Sequence, residues 1–202
     1  MELVRRKRRE PADDVISRLC EWPDADDEVA RRSMMLLFAG HETTVAQIGL
    51  GAALLLADHD RWRALADDPG LVDGAVEEVL RAAPAGATTG VPRYARTAFE
   101  LGGAAVKAGD LVPLDTDAAN HDPATFERPG TFDATRRGPG HLSFGHGARY
   151  CIGAPLARIE LRTAFSQLIQ KFPDMRLAVP VERLRPRTGQ LTGGLVELPV
   201  TW

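Results

Sequence analysis

The sequence predicts a mainly α chain with small β-sheets, an α+β class. Three observations carry this reading. Long segments repeat apolar residues at helical steps and end at proline or begin at acidic caps. Phe99 to Leu114 reads as a hairpin segment that turns at Gly102-Gly103 and again at Ala108-Gly109-Asp110. Met175 to Trp202 breaks into strand-like runs at Gly189, Gly193-Gly194 and Pro199.

In chain order, the basic run Arg5-Arg6-Lys7-Arg8-Arg9 comes first. It reads as a solvated helix face rather than a nucleic-acid or localisation patch. Asp13 and Asp14 follow it closely, and the chain carries a net charge of −3. A long central helix is expected over about 26–57. Asp24 or Asp26 could cap it, and Asp27 and Glu28 suit its first turn. Met34 to Phe38 and Ile48 to Leu56 are apolar nearly all round. A membrane span is excluded by His41, Glu42, Thr43, Thr44 and Gln47 at the centre. One central carboxylate alone costs about 2.5 kcal/mol or more on insertion. A helix buried through a soluble domain is expected instead, with its threonines bonding back to carbonyls.

The next helix is expected over about 71–82, stopping before Pro84. Glu78 and Arg81 lie three apart on it and share a face, a pattern common on solvated surfaces. Another helix is expected over about 155–172. Pro155 suits its first turn, and Pro173 ends it. Leu161, Ala164, Phe165, Leu168 and Phe172 form its apolar stripe.

Between hairpin and helix lies the run F-G-H-G-A-R-Y-C-I-G, Phe144 to Gly153, followed by A-P-L-A-R. A glycine-rich loop thus delivers Cys151 to a helix N-terminus, where the dipole and unpaired N–H groups favour a thiolate. Four chemistries compete for this sulfur. A buried structural cysteine is the default for a lone residue. A disulfide with Cys20, the other cysteine, conflicts with a chain that shows no signal peptide and so implies a reducing cytosol. Zinc is conceivable through His141, His146 and Cys151, but structural zinc takes four ligands, usually in tight pairs. Axial ligation of haem iron by the thiolate is the fourth.

The pattern Phe144-x-x-Gly147-x-Arg149-x-Cys151-x-Gly153 resembles the haem-binding signature of the cytochrome P450 monooxygenases, in its soluble bacterial form. The resemblance implies that Cys151 is the proximal ligand of a haem b iron. It implies that Arg149 pairs with one propionate, that Phe144 packs beside the thiolate, and that Gly153 lets the loop pass close to the porphyrin. Two further motifs arrive in the family's order. A-G-H-E-T-T, Ala39 to Thr44, resembles the helix that crosses the distal face. There Ala39 and Gly40 would keep the helix thin above the iron, and Glu42 and Thr43 would form the acid–alcohol pair that delivers protons. Glu78 and Arg81 resemble the family's E-x-x-R pair, a buried ion pair of structural purpose. Arg93, in Val91 to Ala95, corresponds to an arginine that reaches the second propionate. Ala119 to Pro123 resembles a short helix of the family, Phe126 to Asp133 its meander, and Leu191 to Leu195 a turn that projects into the substrate pocket.

The resemblance covers the chain from near Ala12 onward as the C-terminal half of the family's fold. Residues 1–202 are therefore expected to be the C-terminal portion of one such domain. One local departure is Thr131, which stands where many members place an Arg or His to complete a triad with the E-x-x-R pair; Arg128 or Arg136 could take that place. The implied function is a cytoplasmic haem-thiolate monooxygenase inserting one oxygen atom from O2 into a small organic substrate, in secondary metabolism of a polyketide-like kind. Electrons would come from NAD(P)H through a ferredoxin reductase and a ferredoxin, with no nucleic-acid or membrane partner. Two alternatives stand beside it: a truncated, non-catalytic homologue or partner module, and a small zinc protein.

Overall fold

The computed structural model describes residues 1–83, 93–189 and 192–202. Pro84, the Val91-Pro92 part of the Arg93 segment and the Leu191 part of the C-terminal turn lie outside the described residues. The chain divides into two compact units, Met1–Thr43 and Thr44–Trp202.

The first unit contains α1 (Glu2–Arg9), α2 (Val15–Cys20) and the beginning of α3 (Asp26–Leu56). Asp14 caps α2 by accepting from the Ser17 N–H at 2.9 Å, while the Ser17 hydroxyl accepts from the Ala12 N–H at 3.0 Å. The basic run is more than a solvated face. Lys7 pairs with Asp14. Arg8 donates to Asp26 Oδ1 at 2.9 Å and to the Cys20 carbonyl at 2.6 Å, satisfying the last turn of α2. Arg31 and Arg32 then tie the first turns of α3 through Asp27, Glu28 and Asp24.

The expectation of a helix buried along its length is corrected in α3. Met34, Met35, Leu36, Leu37 and Phe38 are 40–71 % exposed. A helix apolar all round needs neighbours on every side, and residues 34–41 are all exposed. No described helix is long and apolar enough to cross a membrane.

The second unit continues α3 and adds α4 (His59–Asp67), α5 (Val72–Ala82), α6 (Thr116–Asn120) and α7 (Ala154–Lys171). Its core gathers Ala52, Leu55 and Leu56 of α3, Trp62 and Leu65 of α4, Val72, Ala75, Val76, Val79 and Leu80 of α5, and Leu161, Phe165 and Ile169 of α7. The α7 stripe thus packs inward as its spacing requires, with Leu161 and Phe165 fully buried. Trp62 Nε1 donates to the Phe172 carbonyl at 3.0 Å and pins α4 to the end of α7. Two glycines permit close approach. A Cβ on Gly51 would lie 2.6 Å from Val79 and 2.7 Å from Phe165, and one on Gly74 would lie 1.7 Å from the Ala134 carbonyl oxygen.

The described β structure is three antiparallel two-stranded sheets. Strand β1 (Arg93–Tyr94) pairs with β4 (Leu111–Val112), and β2 (Phe99–Leu101) with β3 (Ala104–Val106). Gly102 and Gly103, at φ 57° and 81°, make the hairpin turn, a conformation that L side chains resist. The C-terminal run closes as β5 (Arg176–Leu177) against β6 (Val200–Thr201), with a bridge from Pro186 to Leu195.

Candidate haem-thiolate site

The loop that carries Cys151 is built from backbone bonds. Gly145 and Gly147 sit at φ 74° and 70°, where glycine costs nothing. A 3-10 turn, Gly147–Arg149, is closed by the Tyr150 N–H on the Gly147 carbonyl at 3.0 Å. The Cys151 N–H then donates to the Phe144 carbonyl at 2.9 Å, closing the loop. Helix α7 follows with Gly153 as its N-cap and no side chain capping it; its first N–H, that of Ala154, donates back to the Cys151 carbonyl at 3.2 Å, and Pro155 has none to satisfy. Cys151 is a free, exposed thiol. A Cβ on Gly153 would make ordinary contact with Sγ at 3.8 Å, so the sulfur itself does not require glycine there.

Behind the loop, two neighbouring carboxylates of α5 hold two different networks. Glu78 and Arg81 are both buried and form a bidentate pair, Nε to Oε1 at 2.7 Å and the second nitrogen to Oε2 at 3.0 Å. Burial pushes the Glu78 carboxyl up, but Arg81, the Asp133 N–H and Arg136 outweigh it and hold it below the ordinary range. The place left open at Thr131 is filled by Arg136, whose Nε donates to Glu78 Oε1 at 2.8 Å. The same guanidinium takes the Thr131 carbonyl at 2.8 Å and the Glu127 carbonyl at 2.7 Å. Arg128 instead lies near Glu127 on the surface. Arg81 also donates to the Asn120 carbonyl at 2.9 Å. Asn120 in turn holds the Leu142 N–H at 2.7 Å and the Ser143 hydroxyl at 2.9 Å, so the approach to the cysteine loop hangs from α5 and α6.

The second network starts at Glu77. Its two oxygens accept from Arg158 at 2.7 and 3.0 Å. Arg158 lies 4.7 Å over the Phe144 ring and donates to the Tyr150 hydroxyl at 3.3 Å. The Ser143 N–H donates to His141 Nδ1, which places the proton of the neutral ring on Nε2. That atom lies 3.3 Å from Glu77 Oε2, where its N–H faces the carboxylate. His141 and Arg158 together lower the Glu77 carboxyl to about 2. Sequence reasoning singled out neither Glu77 nor Arg158. Their signal was present: Glu77 adjoins Glu78, and Arg158 closes A-P-L-A-R.

The zinc alternative is corrected. Among the described residues no group of three His, Cys, Asp or Glu side chains could hold a metal ion. His141 is nearly buried beside Glu77, while His146 and Cys151 are exposed. Even spacing along a loop does not converge side chains on one point. The donors present do fit haem: an accessible soft sulfur, an exposed apolar Ile152 beside it, and the exposed Arg149 two residues away.

Of the remaining expected site residues, Ala39, Gly40, Glu42 and Thr43 lie on α3 in the first unit. The Thr43 hydroxyl donates back to the Ala39 carbonyl at 2.7 Å, the bond expected of a threonine within a helix. Glu42 is half-buried, and a Cβ on Gly40 would meet nothing within 4 Å. Arg93 is exposed on β1.

The family model described as Cytochrome P450 matches residues 57–175. Cytochrome P450 105C1 of a Streptomyces species is 46 % identical over 202 residues, covering 99 % of this chain and 53 % of its own length. Pentalenolactone synthase of Streptomyces exfoliatus is 42 % identical over 208 residues, covering 100 % of this chain and 52 % of its own. Among solved structures, the mixed-function P450 MycG superposes with a TM-score of 0.92 at 41 % identity, over 100 % of this chain and 52 % of that one. The chain spans about half the length of the curated relatives it matches.

Proposed function

This chain belongs to the cytochrome P450 family, and we propose from that premise that it is the C-terminal portion of a haem-thiolate monooxygenase domain, residues 1–202. The order of the motifs supports that half. The observation that carries the reading is the free, exposed thiol of Cys151 at the end of a backbone-closed glycine loop, ahead of α7.

Bound there, haem would supply activation of dioxygen for insertion of one oxygen atom into an organic substrate. The chain's own residues would do the following. Cys151 Sγ would hold the haem iron, on a loop whose end is tied by the Cys151 N–H to the Phe144 carbonyl. Phe144 would pack beside the sulfur, as the family's motif has it. Arg149 and Arg93 meet carboxylates with planar forks, and Gly153 lets the loop run close to the ring. On α3, Ala39 and Gly40 keep the helix surface thin. Thr43 Oγ1 donates to the Ala39 carbonyl and would have to release that bond to donate a proton onward. Glu42 relays the proton from solvent.

Relatives named for pentalenolactone, nocardicin C and mycinamicin IV support an organic secondary-metabolite substrate. Electrons would come from NAD(P)H through ferredoxin reductase and ferredoxin in the cytoplasm. Exposure of Met34 to Phe38 favours a second reading, a partner module whose apolar α3 face is completed by further polypeptide.

The test is the reduced carbon monoxide spectrum of the chain loaded with haem. The red-shifted Soret band of thiolate ligation is expected, and Cys151→Ser should abolish it. Retention of that band in the variant would overturn the assignment. Absence of the band from the unaltered chain would favour the partner module.

A further inference from the structure

We propose that Glu77 is the positioning residue of the cysteine loop. Through Arg158 it holds the Phe144 ring and the Tyr150 hydroxyl, which flank Cys151, and so determines where the sulfur points. The inference rests on the reading of Cys151 as the iron's thiolate, and it assigns that site a support that the E-x-x-R pair does not provide.

Three features separate this arrangement from an ordinary surface ion pair, which contributes little. First, the geometry is bidentate, so the carboxylate fixes the guanidinium plane and not only its charge. Second, that plane has two further partners, and both belong to the loop. The ring centroid of Phe144 lies 4.7 Å away, and the Tyr150 hydroxyl 3.3 Å away. Phe144 is also the residue whose carbonyl receives the Cys151 N–H. Third, Glu77 is approached from its other side by His141, on the strand of loop that leads into Phe144. The His141 and Phe144 rings lie 5.7 Å apart, and the Phe144 and Tyr150 rings 6.2 Å apart. Guanidinium, two aromatic rings and imidazole thus enclose the start and the end of the loop around one carboxylate.

The two adjacent glutamates divide the labour. Glu78 points into the buried triad with Arg81 and Arg136 and anchors the meander. Glu77 faces α7 and the loop. Losing Glu77 would leave Arg158 free to swing from Phe144 toward solvent, since the guanidinium is already part-exposed. The Phe144 carbonyl, and with it the amide of Cys151, would lose its fixed position.

The experiment compares the unaltered chain with Glu77→Gln, Glu77→Asp and Tyr150→Phe, first without haem. Peptide-resolved hydrogen exchange reads the Cys151 amide, and alkylation by iodoacetamide reads its thiol. Glu77→Gln should speed both about tenfold. Glu77→Asp, which keeps the charge, should restore both to within about twofold of the unaltered chain. Tyr150→Phe, at an exposed residue with little bearing on folding, should speed both about threefold. Haem is then added, and the carbon monoxide spectrum should show Glu77→Gln shifting part of the thiolate band to shorter wavelength, with Glu77→Asp retaining it. Unchanged exchange and alkylation in both Glu77→Gln and Tyr150→Phe, with helix content intact, would overturn the proposal. A loosened loop in Glu77→Gln, together with no thiolate band in the unaltered chain, would leave Glu77 as the residue that holds the loop and would sink the ligand reading alone.

Discussion

Arg136 Nε donates to Glu78 Oε1 at 2.8 Å, although 58 residues separate them. This bond makes the meander part of the α5 ion pair, and its consequence is measurable. Glu78 and Arg81 are 4 % and 2 % exposed in their side chains, so removing one partner strands a charge. Arg81→Ala should cost about 3–5 kcal/mol of unfolding free energy. Arg136→Ala, whose side chain is more exposed, should cost less. Denaturant titration with constant slope checks both. Equal and negligible losses would show that the network does not hold the meander.

Gly74 offers a second test. A methyl group there would meet the Ala134 carbonyl oxygen at 1.7 Å, and backbone does not yield as a flexible side chain does. Gly74→Ala should therefore destabilise by more than the usual overpacking range of about 1–3 kcal/mol. Gly40→Ala, where nothing lies within 4 Å, should gain about 0.5–1 kcal/mol through helix propensity. Thermal melts of the two variants should move in opposite directions.

The Glu77 network predicts a pH dependence. Its carboxyl falls from an ordinary 4.5 to about 2, first through His141 and then through Arg158 against the cost of burial. A depressed carboxyl stabilises the folded chain fully above the unfolded value and loses that contribution as pH falls through the folded value. The stability difference between the unaltered chain and Glu77→Gln should be constant above about pH 4.5 and shrink toward pH 2. A difference that grows on acidification would show that the carboxylate is not held in its charged form.

Thr43 separates structure from chemistry. Its hydroxyl bonds to the Ala39 carbonyl within one helix turn, so Thr43→Ala should leave helix content unchanged or slightly raised. In the complete oxygenase, the same substitution should increase peroxide release per oxygen consumed by about tenfold or more if the hydroxyl delivers protons. Oxygen-electrode and peroxide assays measure that ratio, and unchanged coupling would remove Thr43 from the relay.

Local physics was legible in the sequence. Leu161 and Phe165 announced the buried stripe of α7 by their spacing, and Gly102-Gly103 announced the hairpin turn, because both signals are complete within a few residues. The F-x-x-G-x-R-x-C-x-G spacing likewise marked the cysteine loop. What no spacing revealed were partners far apart in sequence. Arg136 could not be told from Arg128 as the third member of the triad. Glu77 was hidden beside Glu78, because its partner Arg158 is 81 residues away. The exposure of Met34 to Phe38 was also illegible, since an apolar pattern states what a helix needs around it and not what is there.

The sequence by itself determined the class of chain, the positions of the long helices α3, α5 and α7, and the glycine loop that carries Cys151. These follow from periodicity, caps and glycine conformations, which act over one or two turns. Only the tertiary structure decided which charges meet. Bonds from Arg136 to Glu78, and from Arg158 to Glu77, Phe144 and Tyr150, exist because packing α5 against α7 and the meander brings distant backbone within side-chain reach. Hydrogen bonds are directional and short, so their partners are set by that final geometry.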